Sequence, residues 1–137
     1  MQKTNHILDK QEIASLGASL RAIEQKLLKQ SRKEGYSKIW FQGEEPYFDV
    51  FFEFDQEEIV WFQFTLRGKS LSWDIRKPEL QTGNTNELSI DDVSFYAASK
   101  TIENDTQIDW AFIYLVKSIL ETRAEEQIFA KALSLFK

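Results

Sequence analysis

The sequence predicts an α+β domain with an N-terminal helix, a four-stranded antiparallel β-meander, and one or two C-terminal helices packed on the sheet. Three observations lead there. Apolar residues recur at helical spacing through the first 34 residues, the period changes to two between Tyr36 and Arg76, and a helical stripe returns after residue 105. A chain of 137 residues is one domain's worth, so 1–137 is read as a single domain with residues 1–8 flexible.

The first helix is placed at about 9–34. Asp9 with Glu12 three residues later reads as a capping box, and Ile13, Leu16, Leu20, Ile23, Leu27 and Leu28 form one apolar stripe. Lys29, Arg32 and Lys33 complement the helix dipole, and Gly35 supplies a left-handed stop.

The meander occupies about 36–76 in the segments Tyr36–Gln42, Tyr47–Asp55, Glu58–Arg67 and Lys69–Arg76. Gly68-Lys69, with Gly first, suits a type II′ hairpin that pairs Leu66 with Leu71, Phe64 with Trp73 and Phe62 with Ile75. The loop Gly43–Pro46 sets Phe41 against Phe48 and Ile39 against Val50. A loop near Gln56-Glu57-Glu58 aligns Phe52 with Phe62 and Val50 with Phe64. All three turns agree on one buried face, running Ile39, Phe41, Phe48, Val50, Phe52, Phe54, Val60, Phe62, Phe64, Leu66, Leu71, Trp73 and Ile75. A one-residue slip would turn any strand's set to the wrong side.

Pro78, Gly83, Asn84, Thr85 and Asn86 mark 77–88 as a loop. For 89–103 two readings stand: a short helix capped by Ser89 and Asp92, or an extended segment at Val93–Ala97. Helices follow over about 105–136. Asn104 or Asp105 is the expected cap, Ile108, Ala111, Phe112, Leu115, Val116, Ile119 and Leu120 form the stripe, and a break falls around Glu121–Glu125.

Charge and chemistry narrow the function. The net charge is −5 and the pI near 5.0, against a general nucleic-acid binder, which must neutralise phosphates. Residues 1–35 hold seven Lys/Arg and four acids, net +3, while the rest hold ten and eighteen, net −8. That asymmetry reads as complementarity between a basic helix and an acidic body. There is no cysteine, the N-terminus has no signal-peptide core, and Trp110–Val116 is too short to span a membrane. A cytoplasmic protein with neither nucleic acid nor membrane as partner is expected.

The single histidine, His6, precedes the first helix, so catalytic triads, Cys-His pairs and multi-histidine metal sites are disfavoured. No phosphate-binding glycine loop is present. Glu44-Glu45, Asp55 with Glu57 and Glu58, and Asp91-Asp92 are acids at turns and helix starts, where capping and solubility account for them. Asp49 and Glu53 share a strand face, a pair able to act as acid and base if a pocket accompanies it. No catalytic, cofactor or metal residue is assigned.

The face opposite the buried set is the exception to ordinary patterning. It carries Tyr36, Lys38, Trp40, Tyr47, Asp49, Phe51, Glu53, Ile59, Trp61, Gln63, Thr65, Arg67, Ser72, Asp74 and Arg76, where a solvated face reads mostly polar. The register stacks Trp61 on Arg76 and Tyr47 on Arg67. Either a helix or the segment Ser89–Glu103 covers this face, or it is a binding surface of aromatic and Arg residues. On the second reading Trp40, Tyr47, Phe51, Trp61, Arg67 and Arg76 form the partner or ligand surface. The protein is then a non-catalytic interaction module (adaptor, chaperone-like or inhibitor), using this face or the basic first helix, whose partner is another protein or a second copy in a homodimer. The alternatives are a small-ligand binder or minor enzyme with a pocket between sheet and helices, using Asp49, Glu53, Gln63 and Arg67, and a structural homo-oligomer subunit. In size, acidity and helix–sheet–helix build the chain resembles small bacterial adaptors and secretion chaperones.

Overall fold

The computed structural model describes residues 9–23, 35–85 and 102–136. Along the chain these form α1 (Lys10–Ser19), β1 (Arg21–Ala22), β2 (Tyr36–Gln42), β3 (Asp49–Asp55), β4 (Glu58–Leu66), β5 (Lys69–Asp74), β6 (Lys77–Thr85), β7 (Ile102–Asn104), α2 (Trp110–Glu121) and α3 (Gln127–Leu133). The architecture is α+β as expected, but the antiparallel sheet has seven strands in the order β1 to β7, not four.

Helix α1 begins where the sequence places it, the Asp9 carboxylate accepting from Glu12 N–H at 2.8 Å. It does not run to residue 34. Leu20 turns extended, Arg21–Ala22 pairs with Gln42 and Phe41, and Ile23 N–H donates to Trp40 O at 2.8 Å. The apolar spacing from Ile13 to Leu20 continues to Ile23, so periodicity alone extends the helix past its end. Residues 24–34, including Lys29, Arg32 and Lys33, lie outside the described residues, as do 1–8.

Two of the three central registers differ from expectation by two residues. β4 and β5 pair Phe64 with Leu71 and Phe62 with Trp73, because the turn is Arg67-Gly68. Both residues have positive φ, 54° and 84°, as a type I′ hairpin requires. β2 and β3 pair Phe41 with Val50 and Ile39 with Phe52, and the intervening loop closes through Gly43 N–H to Phe48 O at 2.8 Å. Since side chains alternate with period two, a two-residue slip preserves both faces. The β3–β4 register falls as expected, Val50 against Phe64 and Phe52 against Phe62, up to a bulge. Beyond the bulge Phe54 faces Ile59, so Ile59 joins the core in place of Val60.

The segment 77–85, expected to be loop, is strand β6. A two-residue turn, Ile75-Arg76, links it to β5, which leaves Ile75 exposed and removes Arg76 from the sheet face. Pro78 sits at the start of β6, before β7 pairs with it, so its missing N–H is tolerated. At Gly83 a Cβ would stand 2.7 Å from Glu103 O, so the glycine permits the close approach of β7. Both alternatives for Ser89–Ala97 fall outside the described residues.

Helix α2 starts at Trp110, with Asp109 as its cap accepting from Phe112 N–H at 3.1 Å, not at Asn104 or Asp105. Asp105 instead accepts from Thr82 Oγ1 at 2.7 Å, and Thr82 Oγ1 accepts from Asp109 N–H at 2.9 Å. Lys69 Nζ reaches Asp109 at 2.9 Å, so one polar node ties β5, β6 and the start of α2 together. The C-terminal helices are distinct, separated by 122–126. All three helices contribute to one core against one sheet face, where Phe48, Phe52, Phe62, Phe64 and Phe129 are fully buried. At roughly 1.5–3 kcal/mol for each large apolar side chain removed from water, this layer dominates the stability.

Candidate site on the sheet face away from the core

The sheet face away from the core is laid out in cross-strand rows. Trp40, Phe51, Gln63, Ser72 and Gln81 are successive partners from β2 to β6, and Lys38, Glu53, Trp61 and Asp74 form the neighbouring row. Trp40 Nε1 donates to Asp49 Oδ1 at 3.1 Å, and Thr65 Oγ1 donates to Asp49 Oδ2 at 3.4 Å. Phe51 is 8% exposed and stands outside the main core cluster; Asp49, Gln63 and Thr65 are also buried. The middle of this face is therefore packed, with Asp49 held by Trp40 and Thr65.

The six residues expected to form one surface divide into three places. Half-buried Trp40 and buried Phe51 are cross-strand partners in the middle of the face. Tyr47 and Arg67 lie at one end, Tyr47 in the β2–β3 loop with φ 62° and Arg67 in the β4–β5 turn. Arg67 makes a bidentate pair with Glu45 at 2.9 and 2.9 Å and approaches Glu12 at 3.6 Å; this company raises its pKa further, the Glu45 hydrogen bonds contributing most. Arg76 lies at the other end, where its backbone and guanidinium both bond Asp74, with Nη2–Oδ2 at 2.7 Å. Those bonds hold the Asp74 carboxyl below its usual range. Trp61 faces Glu53 and Asp74 across the strands instead of Arg76.

Two surface cavities share Trp61 and Asp74. The larger, about 400 Å³, lies toward the β3–β4 and β5–β6 turns and is walled by Tyr36, Glu53, Asp55 and Arg76 besides the shared pair. The other, about 240 Å³, is closed by Ser72, Gln81, Ile102 and Asn104. Tyr36 Oη donates to Glu53 Oε1, and its pKa is pushed up to about 12 by that bond first, then by burial and the charges of Glu53 and Asp55. The sequence reading missed the β6–β7 wall. Its signal was the alternation of Gln81, Gly83 and Thr85, masked by their turn-like composition.

Among the described residues no three His, Cys, Asp or Glu side chains come together as a metal-ligand set, and no helix is long and apolar enough to cross a membrane. Fold and site together define an α+β protein with an acidic, tryptophan-centred concavity on the sheet face its described helices leave uncovered. Comparison with protein-family models, with curated proteins and with solved structures returns no match.

Proposed function

We propose that the protein is a non-catalytic interaction module of adaptor, chaperone-like or inhibitor type, engaging a protein partner through the sheet face around Trp61. The observation that carries this reading is the position of Trp61 between two concavities, with Glu53 and Asp74 as its cross-strand neighbours. A large aromatic ring at the centre of a polar rim is the arrangement in which interface energy concentrates. Trp40 and Phe51 serve as the packed floor beside it. Native mass spectrometry of gently purified protein weighs whatever assembly it forms. Trp61→Asp should remove the captured partner or second copy while leaving the far-UV spectrum and melting temperature near those of the parent. Undiminished assembly in that variant would reject the reading.

A small-ligand module is favoured by a different observation, a cavity of about 610 Å³ between sheet and helices. Trp73, Leu80, Ile108, Trp110 and Leu135 line it, and it falls within the size range of small-molecule sites. A defined small adduct on a monomer, lost in Leu80→Trp, would select that reading.

A further inference from the structure

Trp61 stands among unlike charges in unequal number. The two cavities beside it are bordered by four carboxylates, Glu53, Asp55, Asp74 and Glu79, against two cations, Lys77 and Arg76. The phenol of Tyr36 reports the same field, since Glu53 and Asp55 together favour its protonated form. An indole face attracts a cation, and carboxylates beside it supply charge-assisted hydrogen bonds. The chain shows which cation suits the rim: the Arg76 guanidinium lies bidentate on Asp74 although its side chain is 86% exposed. A planar guanidinium combines ring stacking with forked hydrogen bonding, which a lysine ammonium does not.

We propose that the Trp61 concavity receives an arginine side chain presented by a partner protein, its guanidinium stacking on Trp61 between Glu53 and Asp74. This rests on the reading of the face as an interaction surface and adds the chemistry of the group recognised. Arg76 is then the intramolecular competitor that holds Asp74 until the partner's arginine displaces it.

The test is an NMR titration of the tryptophan indole N–H signals, with Trp61 assigned from a Trp61→Phe variant. The titrant is a short Gly/Ser-flanked peptide carrying one arginine, beside a twin with citrulline, which keeps the shape and loses the charge. The expected result is a saturable shift of the Trp61 signal with the arginine peptide and binding at least roughly tenfold weaker with citrulline. Glu53→Gln should weaken binding several-fold and Arg76→Gln should strengthen it, an opposite pair of effects that a general loss of structure cannot produce. An unmoved Trp61 signal at millimolar peptide, equal binding of the citrulline twin, or equal binding of free spermidine would overturn the proposal. Should Trp61→Asp abolish assembly while Glu53→Gln and Arg76→Gln leave it untouched, the arginine assignment fails and the interaction surface stands.

Discussion

Arg123 shows how much one side chain fastens. Its Nη1 donates to Gly17 O at 2.6 Å and Leu20 O at 2.8 Å, satisfying carbonyls at the end of α1. Its other face pairs with Glu126 and lies 4.9 Å from the Phe129 ring centroid. Removing it takes this donor from Leu20 O and the Glu126 carboxylate, while Gly17 O keeps only the longer bond from Leu20 N–H at 3.3 Å. Arg123→Ala should therefore cost about 2–3 kcal/mol in urea unfolding, with Arg123→Lys recovering only part. A loss below about 0.5 kcal/mol would show that water replaces the guanidinium at no cost. Tyr36 sets a pH dependence. Its folded pKa is raised from 10.0 to about 12, so its contribution is complete below pH 10 and is lost as the pH rises through about 12. In an absorbance titration of phenolate, Glu53→Gln should bring Tyr36 back toward 10, and Tyr36→Phe should flatten the alkaline fall in stability. Ionisation of Tyr36 near 10 in the parent protein would contradict this. Neither residue's role was legible in the sequence, because Arg123 reaches more than a hundred positions back and Tyr36 meets Glu53 only through strand pairing.

Elements were more legible than the residues that join them. The two faces of the central sheet survive a register error of two, since alternation records sidedness and not the turn that sets pairing. The turns themselves were harder to read. Gln56 and Glu57 both take positive φ, 55° and 70°, in a type I′ turn for which Asn-Gly is the usual signal. Glu57→Gly relieves a left-handed cost of about 1–2 kcal/mol against a glycine entropy penalty of about 0.5–1 kcal/mol, so it should stabilise by roughly 0.5–1 kcal/mol. The contact of Lys131 Nζ with Glu57 O, a backbone atom, is preserved. Helix ends were misplaced for a related reason. The stripe keeps helical spacing through Ile23, and only the pairing of Arg21–Ala22 with β2 shows where the helix stops. Gly17 marks the consequence, for a Cβ there would collide with Thr122 Oγ1 and lie 3.1 Å from Ile119 O. Gly17→Ala should separate α1 from the end of α2 and cost about 1–3 kcal/mol by urea titration. Thr122→Ala added to it should restore part of that loss, and an unchanged midpoint in Gly17→Ala would show that α1 moves freely.

At the scale of the molecule, the buried layer joins segments far apart in sequence. Phe129 of α3 packs 4.9 Å from Phe41 and 6.3 Å from Phe52, and Phe52 lies 5.3 Å from Phe62, so one lattice of rings links β2, β3, β4 and the last helix. The apolar alternation predicted the sheet's share of this layer. It did not predict how the opposite face would be buried, because exposure of Phe51 or Asp49 depends on what lies over it and not on its own strand. The legible part of the candidate site was likewise its composition, while the smaller concavity needed β6 and β7, whose glycine and asparagine read as loop. A shared lattice has a consequence for unfolding. Helix α3 has seven residues, too few to persist alone in water, so it holds only while the sheet presents Phe41 and Phe52 to it. Losing Phe129 in turn opens a void that the sheet residues border. Phe129→Ala should cost about 3–5 kcal/mol, and far-UV dichroism and tryptophan fluorescence should move to lower denaturant together. Fluorescence here reports largely on the sheet through Trp40, Trp61 and Trp73, while dichroism weights the helices. If the variant loses helical signal while the fluorescence transition stays at the parent's midpoint, the helical layer unfolds separately and the rings do not couple it to the sheet.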